Sequence, residues 1–432
     1  MSELRVQPGA ALRGRARVPG DKSISHRTLL LGSIAAGKSH VEDFLPSADC
    51  LATLEAVRAL GVEVQEHTPT ELTVHGVGLH GLQEPDDVVD CRRSGTTMRL
   101  LAGLLAGQPF LSVLSGGTQL RRRPMGRITE PLRSMGATVL GRDGGRLPPL
   151  AIQGGELSGI DYTLPVASAQ VKSALTLAAL YASGATRLRV PGPARDHTER
   201  MLAAMGARIA TREGTVEIEP GASLQPMDVT VPGDFSSAAY LLVAASLLPG
   251  SEIILEAVGV NPTRTGLLDL LRAMGADLTL HQECVVGGEP VAQIAVRSAE
   301  LSGVEVGGDL VVRAIDEFPI LAVAATQARG ETVVRDAAEL RVKETDRIAT
   351  TVRELRRLGA GIEPRPDGFV VYGPTALAGA AVDSHGDHRL GMALTVAGLL
   401  AQGETLVRNV GCIADSFPGF AATLASLGAR VS

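Results

Sequence analysis

Tryptophan is absent from this chain of 432 residues, and aromatic side chains make up only 3% of it. Stacking platforms that hold single-stranded nucleic acids therefore have little to be built from. Cysteine is scarce as well. Cys50, Cys91, Cys284 and Cys412 are scattered, with no Cys-x-x-Cys pair and no Cys/His cluster. Neither a disulfide framework nor a zinc site is supported, and a reducing, cytoplasmic setting fits. No charge of one sign dominates: 41 basic against 47 acidic residues leave −6, which argues against general binding of nucleic acid or anionic membrane. Long apolar runs are missing too. Residues 100–114 are interrupted at Gln108-Pro109 and residues 238–248 are short, so neither predicts a membrane span. The opening MSELRVQPGAALRGRARVPG is basic but lacks the apolar centre of a signal peptide.

What the chain does have is a hydrophobic content of 45%, enough to fill the cores of two or three ordinary domains, and an internal repeat. Segments of the form LRSMGA recur with glycines at 61, 136, 206, 275, 359 and 428, separated by 69 to 84 residues. Each reads as the end of an amphipathic helix with glycine in the left-handed position that follows it. Most are followed by a hairpin signal, as in ARIATREGTVEIEP after Gly206 and AGIEPRPDGFVVYG after Gly359. Six units of about 70 residues are too long for a solenoid, whose periods run roughly 20–50 residues. They predict a repeated α/β subdomain, three per domain, with a domain boundary near residues 220–232.

Two nucleotide motifs fail on context. Gly32-Ser-Ile-Ala-Ala-Gly37-Lys38-Ser39 fits the phosphate-cradling loop letter for letter, but a helix precedes it and a strand follows, the reverse of what a phosphate needs. Gly76-x-Gly78-x-x-Gly81 is followed by GLQEPDD rather than a helix and reads as turns.

Polar islands remain in an otherwise Leu/Ala/Gly-rich chain. Residues 341–347, RVKETDR, carry five charges in seven positions although only 20% of the chain is charged. As a helix start, this run puts Arg341, Glu344 and Thr345 on one face and Lys343, Asp346 and Arg347 on another. A solvated, salt-bridged helix is the ordinary reading of such a run; a rigid presentation of cations with an acid is the sharper one. Lys22, Ser23 and Arg27 open a helix that Asp21 or Ser23 caps. Ser94-Gly95-Thr96-Thr97 opens another, with Gly95 allowing close approach to the backbone. Arg121-Arg122-Arg123-Pro124 puts proline where a helix begins. Ser168-Ala169-Gln170, Arg195-Asp196, Asp316-Glu317 and Asp387-His388-Arg389 also head apolar helices, and an acid such as Asp316 in that place is ordinarily a cap. Together, these cation-rich helix starts in both halves suit a cleft between domains that binds small molecules with several negative charges.

The quoted segments, with PGDKSISHR, SGTTMRL, PVASAQVKSAL, VPGDFSSAAY, DEFPILAVAA, ELRVKETDRI and DHRLGMA, resemble the EPSP synthases (3-phosphoshikimate 1-carboxyvinyltransferases) of the class II kind along nearly the whole chain. The resemblance implies an α/β (α+β) fold: a two-domain inside-out α/β barrel, the enolpyruvyl transferase fold, with six βαβαββ repeats, three per domain. It implies an N-terminal domain over residues 21–230 and a C-terminal domain of residues 1–20 plus 231–432, with the active site between them. It further implies transfer of the enolpyruvyl group of phosphoenolpyruvate to the 5-hydroxyl of shikimate 3-phosphate, with no metal or organic cofactor, by a cytoplasmic monomer that glyphosate inhibits. Carried over residue by residue, Lys22, Gly95, Arg123, Gln170, Arg347 and Arg389 hold phosphoenolpyruvate. Lys22, Ser23, Arg27, Ser168, Ala169, Gln170, Arg195, Asp316 and Lys343 hold shikimate 3-phosphate. Asp316, Glu344 and Lys22 are the implied catalytic groups. The chain departs from the family at Arg93, where Asn is usual, at Gly116-Gly117, where Gly-Asp is common, and at Asp415-Ser416, where some relatives carry lysine. The alternative is the sister transferase acting on UDP-N-acetylglucosamine, which would place a reactive cysteine where residues 121–123 are arginines.

Overall fold

The six repeat glycines set the architecture. In the computed structural model, which describes residues 2–432, Gly61, Gly136, Gly206, Gly275, Gly359 and Gly428 all adopt left-handed φ, between +82° and +114°. Each stands two residues beyond the last residue of a helix: Ala48–Ala59, Gly126–Ser134, His197–Ala204, Gly266–Ala273, Arg347–Arg357 and Phe420–Ser426. A side chain at any of them would meet the left-handed penalty of about 1–2 kcal/mol, so the repeat is a backbone requirement spelled out in sequence.

Five of the six helix ends feed a hairpin, and every hairpin adds to a small sheet of one design. An outer strand pairs parallel to an inner strand, which pairs antiparallel to the second hairpin strand, and the first hairpin strand lies at the far edge. One such sheet joins Val89–Asp90, Leu111–Ser115, Leu147–Gln153 and Thr138–Gly141. Two sheets borrow the outer strand from far along the chain. Val229–Thr230 runs parallel to Ala36–Glu42, and Arg13–Arg17 runs parallel to Glu252–Gly259. The sixth sheet has no hairpin after Gly428; Glu3–Val6 takes that place, antiparallel to Thr405–Arg408, and Val431 bridges to Val6.

By contacts, the chain divides into two units. One comprises Met1–Pro19, Gly233–Cys284 and Pro290–Ser432; the other comprises Gly20–Pro232 and Val285–Glu289. Each has its own apolar core. In the second unit the core helices are Lys22–Ser33, Gly95–Ala106 and Ala169–Ala179. In the first they are Phe235–Leu247, Phe318–Gln327 and His388–Leu400. These helices are apolar around most of their circumference and correspondingly buried, unlike the repeat-ending helices with one wet face. Burying each of their leucines contributes about 1.5–3 kcal/mol, so the backbone at their N-termini is rigidly held.

Two local expectations fail. Residues 341–347 are not one helix start: a 3-10 turn covers Ala338–Val342, Lys343 leaves it in an extended conformation, and the helix begins only at Arg347. Asp346 is its cap, accepting from Ala349 N at 3.0 Å. A capping carboxylate fixes its own backbone outside the helix, so the helical phase assigned to this run does not apply. Pro124 likewise lies outside the helix it was expected to open, which runs Gly126–Ser134; a 3-10 turn over Leu120–Arg122 precedes it. The two rejected nucleotide motifs have the predicted surroundings: helix Lys22–Ser33 and strand Ala36–Glu42 flank Gly37-Lys38, and no helix follows Gly81.

Candidate active site

In the unit built on Gly20–Pro232, helix caps position the polar residues. Asp21 caps the first core helix by accepting from Ile24 N at 2.9 Å, which leaves Lys22 at the positive helix end. The Lys22 ammonium is paired with Asp49 at 2.5 Å, both groups partly exposed. One turn on, buried Arg27 is tied on three sides: to the Ser23 carbonyl at 2.8 Å, the Thr198 hydroxyl at 2.7 Å and the Ser173 hydroxyl at 2.8 Å. Burial pulls its guanidinium down to about 10, against Glu199 and Asp21, so it stays charged near neutrality. Arg195 is half-buried and close enough to act on Arg27 electrostatically, while Lys172 and Glu199 form a buried pair at 2.7 Å beside them.

Ser94 caps the second core helix, so Gly95 is its first residue, with its backbone N–H unclaimed by the helix. A Cβ on Gly95 would stand 2.8 Å from Arg99 Nη1 and 3.1 Å from Arg123 Nη1, which places both guanidiniums against that helix end. Arg99 donates to Gln170 Oε1 at 2.6 Å, and Gln170 donates to Thr96 Oγ1 at 2.9 Å. Gly95, Arg123 and Gln170, separated by 28 and 47 residues in sequence, thus form one group, with Arg99 as an added member. Ser168 caps the helix that begins at Ala169. Arg93 is exposed and donates to Gln119 Oε1 at 2.9 Å.

The other unit gathers its polar residues at three helix starts. Asp234 and Asp387 cap Phe235–Leu247 and His388–Leu400, and Glu317 precedes Phe318–Gln327 without capping it. Asp316 is no cap either. Its carboxylate faces three guanidiniums: Arg347 at 3.3 Å, Arg389 at 3.4 Å and Arg264 at 3.8 Å. Arg347, 2% exposed, also donates to Asp387 at 2.8 Å and Glu344 at 2.6 Å. Burial opposes its charge, but Asp387, Glu344 and Asp316 outweigh burial and raise its pKa further. Burial likewise works against the Asp387 carboxylate, yet Arg347 holds it below the usual range. Arg389 is raised by Asp316 against its own burial, and Lys343 is lowered by burial despite Asp316. Arg341 pairs with Asp346 at 2.7 Å and bonds two loop carbonyls, so both residues anchor the turn.

The two groups share one property: cations held by carboxylates, hydroxyls or amides that an incoming anion could replace. Among the described residues no cluster of His, Cys, Asp or Glu is arranged to hold a metal ion, and no helix is long and apolar enough to cross a membrane. Cys50 and Cys91 are buried; burial pushes the Cys50 thiol up to about 12 and Cys91 up as well, so neither is a ready nucleophile.

The sequence profile of EPSP synthase (3-phosphoshikimate 1-carboxyvinyltransferase) matches residues 6–424. The chain belongs to the EPSP synthase family. A 3-phosphoshikimate 1-carboxyvinyltransferase of Geobacter sp. (strain M21) is 56% identical, over 97% of this chain and 98% of the relative. That of Geobacter sulfurreducens is 54% identical over the full length of both. The EPSP synthase of Acinetobacter baumannii superposes with a TM-score of 0.92 at 44% identity, covering 100% of this chain and 99% of its own. The family's two-domain fold with six repeats is therefore this chain's fold, and the relatives' names support the shikimate branch of the enolpyruvyl transferases over the UDP-N-acetylglucosamine branch.

The residues the sequence had not singled out are partners of those it had. Ser173 lies inside the quoted segment PVASAQVKSAL, so a hydroxyl near Arg27 was within reach of sequence reasoning. Asp49 and Arg264 had no local signal, because their charges are matched to groups 27 and 52 residues away.

Proposed function

We propose that the chain joins phosphoenolpyruvate to shikimate 3-phosphate, giving 5-enolpyruvylshikimate 3-phosphate and phosphate. Both substrates carry a phosphate of about −1.5 to −2 charges and a carboxylate, so their approach demands dense positive charge. Arg123, Gln170 and the Gly95 N–H in one unit, and Arg347 and Arg389 in the other, bind phosphoenolpyruvate together with Lys22. Ser23, Arg27, Ser168, Ala169, Gln170, Arg195 and Lys343, with Lys22 and Asp316, bind shikimate 3-phosphate. Asp316 accepts the proton of the 5-hydroxyl as its oxygen attacks C2 of phosphoenolpyruvate. Glu344 and Lys22 deliver the proton that C3 gains. The tetrahedral intermediate, whose C3 is now a methyl group, then loses one methyl proton and expels phosphate, so the same groups act in reverse.

One observation carries this reading: Arg347, the largest fully buried side chain, is kept charged by Asp387 while Glu344 and Asp316, two of the three implied proton carriers, rest on its remaining nitrogens. A cation of this kind serves an anion and poises two acids at once. The same reading makes glyphosate a competitor at the phosphoenolpyruvate residues and the enzyme a cytoplasmic monomer. In a coupled assay of phosphate release, Lys22→Met and Asp316→Asn should each lower kcat by at least about 100-fold, the scale of losing general acid–base help, while the fold is retained. Undiminished release from either variant would refute its role.

A further inference from the structure

Arg347 and Arg389 have substrate roles in the proposed function; Arg264, the third guanidinium facing Asp316, has none. Arg264 is 3% exposed and belongs to a tight loop before the helix Gly266–Ala273. Asn261 shapes that loop, its side chain accepting from Thr263 N at 2.9 Å and its carbonyl from Arg264 N at 2.8 Å. The guanidinium is fixed from one side by the cap of a core helix: Nη2 donates to Asp234 Oδ1 at 3.1 Å and to Ser236 Oγ at 2.9 Å. Its other terminal nitrogen, Nη1, stands 3.8 Å from Asp316 Oδ2. That distance is an ionic contact and too long for a hydrogen bond, so it supplies charge without occupying a lone pair of Asp316.

The three guanidiniums therefore differ in what a substrate does to them. Arg347 and Arg389 lie within 3.3 and 3.4 Å of Asp316, and a bound carboxylate or phosphate competes for both. Arg264 is already committed to Asp234 and Ser236, and its loop gives it no freedom to follow a ligand. Once the other two have turned to the substrate, a carboxylate only 13% exposed would take up a proton unless a cation stayed beside it. A protonated Asp316 cannot serve as a base and take the proton of a hydroxyl. The other charged groups about Asp316 are Lys343, with Glu317, Glu344, Asp234 and Asp387 as neighbouring acids.

We infer that Arg264 is a positioning residue for Asp316, holding it ionised and aimed while Arg347 and Arg389 serve phosphoenolpyruvate. The inference rests on the function proposed above. It is tested on the full chain by measuring kcat and KM for phosphoenolpyruvate from pH 5 to 9 in wild type, Arg264→Gln and Arg264→Lys, with melting temperatures alongside. Removing the cation moves the acid limb of kcat in Arg264→Gln to higher pH by about one unit, the lower end of what an opposite charge within 4–6 Å contributes. The KM for phosphoenolpyruvate stays within about twofold, a difference under about 0.5 kcal/mol. Arg264→Lys keeps the wild-type acid limb but loses several-fold in kcat, because an ammonium cannot hold Asp234 and Ser236 and face Asp316 in the same fixed plane. A folded Arg264→Gln enzyme with an unmoved acid limb would overturn the assignment. So would an Arg264→Lys enzyme whose loss lies in KM with kcat unchanged, a result that decides the matter even if the Gln variant does not fold. Failure of the wild type to release phosphate would refute the proposed function instead, and the two failures are distinct.

Discussion

Replacing Asp387 by asparagine tests how buried Arg347 is held. Asp387 has 0% exposure and does two jobs: Oδ2 accepts from Arg347 Nε at 2.8 Å, and Oδ1 accepts from Arg389 N at 3.0 Å as the cap of His388–Leu400. Removing one partner of a buried ion pair costs about 3–5 kcal/mol when the other charge is abandoned. Arg347 is not abandoned, since Glu344 at 2.6 Å and Asp316 at 3.3 Å remain, and the loss falls to about 2 kcal/mol on that scale. Asparagine preserves the cap, whereas alanine removes it for about 1 kcal/mol more. For a unit of this size each kcal/mol moves the melting temperature by about 2–4 °C. Asp387→Asn should therefore melt about 4–8 °C below wild type at pH 7, and Asp387→Ala lower still. The pH dependence has a definite sign. Arg347 holds the native carboxylate below its ordinary value of 3.8 against burial, so its stabilisation is complete above that value and lost as pH falls through the depressed native one. The gap between wild type and Asp387→Asn should stay constant down to about pH 4 and close only below it. Calorimetry of the three proteins from pH 7 to 3 measures this. Equal melting of wild type and Asp387→Asn at pH 7 would refute the argument.

Gly95→Ala sets a Cβ 2.8 Å from Arg99 Nη1 and 3.1 Å from Arg123 Nη1, and Arg99 is anchored on Gln170. Steady-state kinetics should show the KM for phosphoenolpyruvate rising about fivefold, or ~1 kcal/mol, with inhibition by glyphosate weakened at least as much; an unchanged KM would disprove the crowding. His26 is fully buried, bonded to Thr53 at 2.7 Å, and desolvation lowers it to about 3. Its neutral form is favourable above 6.5, and that stabilisation is lost progressively as pH falls to about 3, at up to ~1.4 kcal/mol per unit. His26→Gln should flatten the acid side of the stability profile measured by denaturant titration.

The six repeat glycines made the architecture legible because a left-handed residue after a helix is a local demand, met by glycine each time. Caps at Asp21, Ser94, Ser168 and Asp387 were similarly local and were visible as polar residues ahead of apolar runs. The run at 341–347 misled because charge density drew attention away from Asp346, a capping residue, so Glu344 and Arg347 were assigned to different faces although they pair at 2.6 Å. Asp316 looked like an ordinary helix-start acid; only folding shows that its partners are arginines 52 residues before it and 31 and 73 after it. Electrostatic partnerships of that kind carry no periodicity, which is why Arg264 and Asp49 went unnoticed.

The identity of the acceptor distinguishes this enzyme from the sister transferase. The direct measurement is phosphate release by the purified full chain, with phosphoenolpyruvate and either shikimate 3-phosphate or UDP-N-acetylglucosamine, no metal or cofactor being added. Release should require shikimate 3-phosphate and match, mole for mole, the enolpyruvyl product formed. Release with UDP-N-acetylglucosamine alone, or with neither acceptor, would contradict the account.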